Sequence, residues 1–254
     1  MELKISMFLI VCPLVFLAGF VDAIAGGGGM ISLPAYLISG VPVHMALGTN
    51  KMSSMIGTFV STARFVKNGF VDWALAIPSM VAAIIGSFLG ANLALFVSDT
   101  VLKWVLLIVL LFLAIYIFRN RTFEAGTRFS MSRKQVLFWG TVISLGIGCF
   151  DGFYGPGTGT FLLILYTSVL GLSVKTASGN VKLVNLSSNV AAFTTFLLHG
   201  QIVLVLGGVA ALFSIAGHYL GSGMVMKNGA KIVRPIILVV MTLLYIKIIY
   251  EMIG

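Results

Sequence analysis

Residues 20–29 read FVDAIAGGGG, and residues 151–159 read DGFYGPGTG. Each glycine-rich run begins four positions after an acidic residue, Asp22 in the first case and Asp151 in the second. The sequence around both runs is otherwise apolar, and charged side chains or irregular backbone inside a membrane are costly enough to need a reason. The recurrence of this pattern predicts a transporter built from two related halves.

The composition is that of a polytopic membrane protein. Of 254 residues, 59% are hydrophobic and 9% are charged, and the mean hydropathy is +1.10. An average soluble domain has about 25% charged residues. The net charge of +9 does not indicate nucleic acid, because most Lys and Arg residues lie between apolar segments, where the positive-inside rule explains them. We therefore expect a lipid bilayer around the chain and no nucleic-acid partner.

Apolar segments of helical length fall into two groups of five, separated by a hydrophilic stretch at residues 119–134. They lie at residues 5–24, 30–42, 45–66, 73–97, 100–118, 136–152, 159–172, 176–198, 202–226 and 230–252. The sequence predicts an all-α fold with a first repeat at 1–118, a basic cytoplasmic linker at 119–134 and a second repeat at 135–254. A full crossing takes about 20 residues. The segments at 30–42 and 159–172 are shorter, so we expect half-helices or strongly tilted spans there.

The first segment imitates a cleavable signal peptide, because Lys4 precedes it and Ala23-Ile24-Ala25 ends it. Its counterpart in the second half, residues 139–155, lies in mid-chain, where no signal peptidase acts. We therefore expect residues 5–25 to form a retained helix.

The second half repeats the first at an offset of 131 residues. The offset pairs Ala46 with Ala177, Gly48 with Gly179, Lys51 with Lys182, Phe65 with Phe196, Gly69 with Gly200, Gly86 with Gly217 and Gly90 with Gly221. Hydrophobic composition alone would not align glycines and lysines. We interpret the match as an internal repeat.

Charge predicts the orientation of the halves. With five crossings per half, the basic loop that holds Arg64, the linker at 119–134 and the basic cluster at 227–234 fall on one side. The opposite loops, at 98–99 and 199–201, contain no Lys or Arg. An odd number of crossings inverts the second half, so the sequence predicts inverted repeats, which many secondary transporters share.

The first run, together with Leu33-Pro34 and Ala46-Leu47-Gly48-Thr49-Asn50, resembles the first-repeat signature of the sulfite exporter TauE/SafE family. Residues 153–161, FYGPGTGTF, are similar to the second-repeat signature of that family. The resemblance covers nearly the whole chain. It implies a carrier in the plasma membrane, usually the inner membrane of a prokaryote, for a small anion such as sulfite, thiosulfate, a sulfonate or sulfoacetate.

The glycine runs are candidates for holding that anion. Backbone N–H groups at a helix N-terminus bind oxyanions, and glycine lets this backbone come close. A short helix is predicted after each run, so two such N-termini can meet. Close helix crossing is the alternative role, but the glycines cluster instead of keeping a four-residue spacing. The substrate-binding candidates here are Gly26, Gly27, Gly28, Gly29, Gly155, Gly157, Thr158 and Gly159.

Polar side chains at the start of two long segments are further candidates. A lysine there can balance an anion or can snorkel to the interface, and the sequence leaves both open. The substrate-binding candidates in this group are Thr49, Asn50, Lys51, Asn180, Lys182, Asn185 and Asn189.

Acidic side chains within membrane segments are functional by default. Asp22 and Asp151 can carry a coupling proton, pair with a lysine or cap a glycine loop. His218 stands where the first repeat has Ser87, and we expect an interior histidine with its hydrogen bonds satisfied.

Three other hypotheses concern cations, catalysis and assembly. An ion channel or metal-cation carrier could use Asp22 and Asp151 as ligands, although two lysines favour an anion. No Gly-x-Ser-x-Gly elbow, His-Glu-x-x-His motif or His/Cys ligand spacing is present in the sequence. We therefore expect no enzyme, no cofactor and no fixed metal site. The Gly-x-x-x-Gly pairs at 86–90 and 217–221 predict helix packing, and they offer faces for a possible homodimer.

The sequence predicts alternating access around an anion held between the two runs. Lys51→Ala and Lys182→Ala are expected to lower the uptake of a sulfur oxyanion more than they lower the amount of protein in the membrane. Uptake normalised to immunoblotted protein measures this, and parallel losses would indicate a structural role for the lysines.

Overall fold

The computed structural model describes residues 3–98, 101, 104, 131–229, 231, 232 and 235. These residues form eight helices, six long and two short, and no strand, which confirms the all-α prediction for this part of the chain. The helices are α1 (Ile5–Ala25), α2 (Gly29–Ile38), α3 (Val43–Lys67), α4 (Trp73–Phe96), α5 (Arg133–Phe153), α6 (Thr158–Ser168), α7 (Val174–Leu198) and α8 (Leu204–Asn228). The predicted segments at 100–118 and 230–252 and the linker at 119–134 lie largely outside the described residues.

Five of these helices, α1, α4, α5, α7 and α8, are long and apolar enough to cross a bilayer. The chain is a multi-pass membrane protein. The helix α3 has 25 residues, the same length as α7, but its first half carries polar side chains such as Thr49, Asn50 and Lys51. These three residues are buried, so α3 turns its polar face into the protein.

The two short helices are half-helices. With 10 residues in α2 and 11 in α6, each is about 15 Å long, about half the thickness of a hydrocarbon core. A glycine with positive φ interrupts the chain before each of them. Gly26, which follows the last residue of α1, has a φ of 79°, and Gly157, which directly precedes α6, has a φ of 87°. These left-handed conformations are open to glycine at little cost.

The helices occur in the same order in both halves, and helices of one half pack against helices of the other. The fourth helix of each half packs against the first helix of the other, α4 on α5 and α8 on α1. A Cβ atom at Gly86 or Gly90 would collide with the α5 backbone, and one at Gly217 or Gly221 with the α1 backbone. The packing role expected for both Gly-x-x-x-Gly pairs agrees with these contacts. Their faces are therefore not free to form a homodimer, and a homodimer through another surface stays a prediction.

Contacts between loops show how equivalent helices run. Thr49 Oγ1 accepts a hydrogen bond from Val203 N at 2.9 Å, which joins the starts of α3 and α8. Arg133 and Asp72 pair at 2.6 Å, which joins the starts of α4 and α5. Short loops connect the end of α3 to the start of α4 and the end of α7 to the start of α8. The start of α3 therefore lies on the same side as the end of α7, so these two helices run in opposite directions, and α4 and α8 do so as well. Inverted repeats require this, and the inverted relation of the complete halves stays a prediction.

The Arg133–Asp72 pair lies at the protein surface. The Asp72 side chain caps α4 by accepting from Leu75 N at 3.4 Å, and hydrogen bonds from the Arg133 guanidinium hold the pKa of Asp72 below its ordinary value. Since the Arg133 side chain is 53% exposed, water and salt screen this pair, and it contributes little to stability.

Close crossing of α4 and α5 predicts a contrast between two nearby glycines. Gly148→Ala would place a Cβ 2.8 Å from Ala83 Cα, whereas no described atom lies within 4 Å of a Cβ at Gly146. We expect Gly148→Ala to lower the free energy of unfolding by about 1–3 kcal/mol through overpacking, and Gly146→Ala to cost nothing comparable. Size-exclusion chromatography of heated, detergent-solubilised protein measures the difference, and equal melting of the two variants would contradict this packing.

Candidate functional site

The two glycine runs lie against each other. A Cβ atom at Gly26 would collide with the backbone of Gly159, and the Thr160 hydroxyl donates to the carbonyl oxygen of Ala25 at 2.8 Å. The backbones of the two halves can approach this closely only because both contacting positions are glycine. The N-termini of α2 and α6 are thereby brought to the same place in the fold.

A cavity lies where the runs meet, with about 350 Å³ of space between protein atoms, including its open mouth. Both halves supply its lining in equal measure. The lining residues are Asp22, Gly26, Gly29, Asn50, Lys51, Ser54, Asp151, Gly155, Thr158, Gly159, Asn185 and Asn189. All of them except Ser54 are candidates from the sequence. Ser54 corresponds to Asn185 at the offset of 131 residues, so the internal repeat could have predicted Ser54 as a cavity residue.

Six sequence candidates do not line this cavity: Gly27, Gly28, Thr49, Gly157, Asn180 and Lys182. Thr49 bonds the backbone at Val203, as described above. The Asn180 amide donates to Thr176 O in its own helix at 2.8 Å, and Gly157 faces the Phe161 ring. Lys182 contacts the cavity wall indirectly through its partner Asp22.

Two ion pairs cross between the halves. Lys51 Nζ of the first half lies 2.7 Å from Asp151 Oδ2 of the second, and Lys182 Nζ of the second lies 2.8 Å from Asp22 Oδ2 of the first. The two lysine side chains are 4% and 3% exposed, so neither snorkels to an interface. Pairing with a lysine was one of three roles open for each acid, and the structure shows it for both.

Each carboxylate has further partners that satisfy its buried charge. Ser188 donates to Asp151 at 2.6 Å, and the amide of Gly28 donates to Asp22 at 3.3 Å. Asp22 therefore also caps the first glycine run. A charged side chain within the membrane is tolerated only when ion pairs and hydrogen bonds offset its loss of hydration, as they do here.

The cavity wall carries polar groups without partners. Among the described residues, the side-chain oxygens of Asn50 and Asn185 have no hydrogen bond, although both residues are at least 95% buried. The backbone N–H groups of Gly29 and Gly159, at the starts of α2 and α6, likewise have no acceptor within the described part of the chain. A buried polar group left unpaired costs about 1–3 kcal/mol, so this cluster indicates a place that a polar ligand or water completes.

The comparison with protein families agrees with this geometry. The model described as sulfite exporter TauE/SafE matches residues 11–248. The chain belongs to the TauE/SafE family. The resemblance seen in the sequence is thus confirmed over nearly the full length of this TauE/SafE protein.

Relatives of this TauE/SafE protein carry transporter names. A probable membrane transporter protein of Haemophilus influenzae is 34% identical over 99% of this chain and 98% of the relative. The probable membrane transporter protein ORF9 of Sinorhizobium sp is 36% identical over 93% of this chain and 90% of the relative. YfcA of Escherichia coli K12, also a probable membrane transporter protein, is 29% identical over 94% and 88%. No solved structure matches the chain. Family and relatives together identify a membrane transporter and give no indication of an enzyme.

The crossed pairs change what a single lysine variant can reveal. Lys51→Ala would leave the Asp151 carboxylate buried without its cation, and breaking a buried pair costs about 3–5 kcal/mol. Protein is then lost together with transport. Parallel losses are therefore expected whether or not the lysine also binds substrate, and a variant pair that removes both charges is needed.

We expect Lys51→Met and Asp151→Asn each to lower the thermal stability of the TauE/SafE protein strongly. The double variant should be more stable than the less stable of the two single variants. The exposed pair provides the matched control, because Arg133→Met and Asp72→Asn should each cost about 1 kcal/mol or less. Unfolding is followed with a thiol-reactive fluorophore that reports exposure of the buried Cys12. Single variants at residues 51 and 151 that melt like the wild type would contradict a buried pair.

Proposed function

We propose that this protein carries a small sulfur-containing anion across the membrane by alternating access, with the anion held between the N-termini of α2 and α6. The observation that carries the proposal is the cavity between the glycine runs. There, the unpaired backbone N–H groups of Gly29 and Gly159, one from each half, and the side chains of Asn50 and Asn185 border one space. Helix N-termini also contribute the positive ends of two dipoles.

The charges favour an anion over a metal cation. Each carboxylate at the site is already bonded to an ammonium group, so two aspartates and two lysines balance. A divalent cation would have to displace both lysines. No group of three His, Cys, Asp or Glu side chains that could hold a metal occurs among the described residues. Lys51 donates to Asp151 and Asn189, which leaves its third N–H for a ligand.

The donor arrangement fits a compact oxyanion. Such an anion has several oxygens around one central atom, and each loses water on binding and needs a replacement donor. The donors that border the cavity come from both halves: the backbone N–H groups of Gly29 and Gly159, the side-chain NH2 groups of Asn50 and Asn185, and the Lys51 ammonium. The family description supplies sulfur as the expected central atom, and sulfite, thiosulfate and sulfonates share this geometry.

Alternating access fits the crossed contacts. The cavity lies between the halves, and both ion pairs join one half to the other. An anion that competes with Asp151 for Lys51 weakens one of these links. The two halves can then rock about the remaining contacts, which opens the cavity to the other side.

A binding screen of the purified protein against sulfite, thiosulfate, sulfoacetate, taurine and sulfate tests the proposal. We expect at least one sulfur anion to bind, and Asn185→Ala to weaken its binding about 10-fold or more, the cost of a hydrogen bond to a charged group. Asn180→Ala is the matched control. Asn180 is a buried asparagine of the same helix with an unpartnered oxygen among the described residues, but it does not line the cavity.

Calorimetric titration measures the affinities, and uptake into proteoliposomes shows whether the bound anion is carried. Equal weakening by Asn185→Ala and Asn180→Ala would place the anion elsewhere. Binding of a divalent metal ion with no binding of any sulfur anion would favour the cation carrier.

A further inference from the structure

A histidine lies beside one of the crossed pairs. His218, on α8, is 1% exposed, its Nε2 atom is 3.7 Å from Asp22 Oδ2, and Asp22 in turn pairs with Lys182. A titratable ring at membrane depth is rare and costly, and it points to a function when it contacts another charged group. The anion cavity does not use this ring directly, because only Asp22 of these three residues lines the cavity.

The hydrogen bonds of His218 define which ring nitrogen is free to take a proton. Its Nδ1 lies 3.1 Å from Ser61 Oγ, and the Ser61 hydroxyl donates its own hydrogen to Thr58 O at 3.0 Å. Ser61 therefore accepts from Nδ1–H, which places the hydrogen of the neutral ring on Nδ1. The lone pair of Nε2 then faces the Asp22 carboxylate. A proton added to Nε2 would lie between the two groups and attract them.

Small residues make room for the ring. A Cβ atom at Gly19 of α1 would lie 3.1 Å from His218 Cδ2, and one at Gly57 of α3 would lie 2.5 Å from the same atom. Two helices thus leave the space that the imidazole fills. The ring is built into the contact of α8 with α1 and α3.

The equivalent place in the other half carries no histidine. At the offset of 131 residues, Gly57 corresponds to Ser188 and His218 to Ser87. Ser87 donates to the carbonyl oxygen of Ser188 at 2.6 Å, and Ser188 donates to Asp151 at 2.6 Å. Beside its lysine, each acid therefore has a different side-chain partner, an imidazole at Asp22 and a hydroxyl at Asp151. Of these two partners, only the imidazole has a basic nitrogen that can bind a proton.

The charges around His218 determine what a proton would do. Asp22 faces it from α1 and Lys182 approaches from α7, while α3 presents the uncharged Ser61. Arg64 of α3 bonds Ser222, one turn further along α8, at 3.1 Å and lies over the ring of Tyr219, the residue after His218. A proton on Nε2 changes the net charge of the Asp22–Lys182–His218 cluster from zero to positive. Because Asp22 also lines the cavity, this change favours an anion there.

We propose that His218, Asp22 and Lys182 form the proton-binding site of the transporter, and that a proton and the anion cross the membrane together in the same direction. The proposal rests on the proposed anion transport. The proton binds to His218 Nε2, and the new N–H group donates a hydrogen bond to the Asp22 carboxylate. No other bond is made or broken. The coupling is reciprocal. If the bound proton raises the affinity of the cavity for the anion by some factor, the bound anion raises the affinity of the cluster for the proton by the same factor. Asp151, with its hydroxyl partner, has no such role.

Proteoliposomes with radiolabelled thiosulfate test the proposal, or with sulfoacetate if only that anion binds in the screen, because neither probe changes charge near neutral pH. Uptake is measured at about pH 6 outside, with the inside at about pH 6 or about pH 8, the range in which an imidazole titrates. The wild type should take up the probe several-fold faster with the proton gradient. His218→Gln and His218→Ser should lose this acceleration, and His199→Gln, at an exposed loop histidine, should keep it.

Acceleration that persists in His218→Gln, or is absent from a wild type that does transport the probe, would overturn the proton site while leaving anion transport intact. A wild type that binds and carries none of the anions would overturn both proposals.

A second measurement needs no His218 variant. The protein has three histidines, and NMR of histidine-labelled protein resolves their titrations once His44→Gln and His199→Gln assign two of the signals. The proposal requires the titration midpoint of His218 to rise when thiosulfate is added, because anion and proton favour each other. A midpoint that stays constant or falls in the presence of bound thiosulfate would contradict it.

Discussion

Two buried ion pairs that cross between the halves are the constraint on which the rest of the structure depends. Each half places one aspartate and one lysine at membrane depth, and neither half neutralises its own charges there: Asp22 needs Lys182, and Asp151 needs Lys51. An unpaired charge in this environment is strongly unfavourable. The halves must therefore associate, and in one register.

The packing around these pairs follows from the need to keep polar groups away from lipid. The helices α3 and α7 carry the polar residues, and they pack against each other and against α8 and α4. Small residues on α4 and α8 let α5 and α1 come close enough to enclose them. The broken segments at the glycine runs are tolerated at this depth because they face a cavity inside the protein. Irregular backbone, buried charge and cavity thus occur together for one physical reason.

Much of this arrangement could be predicted from the sequence. The apolar segments agree with the described helices to within a few residues at most ends, because glycine, proline and charge interrupt the apolar pattern. The short segments after the runs are half-helices. The repeat aligned Lys51 with Lys182, but alignment cannot show that each lysine crosses to the acid of the other half. That pairing depends on how the halves dock. Ser54 was overlooked because a serine in an apolar segment has many roles, and Asn180 and Lys182 were placed at the cavity because helix position alone does not show where a side chain points.

Location of a bound anion tests the central claim most directly. Selenite has the shape and charge of sulfite, and anomalous scattering from its selenium in crystals of the protein would locate the site without ambiguity. We expect a selenium peak between the N-termini of α2 and α6, with its oxygens within hydrogen-bond distance of Gly29 N, Gly159 N and the Asn185 side chain. A peak outside the cavity, on a lipid-facing surface or between other helices, would contradict an anion site formed by the two glycine runs.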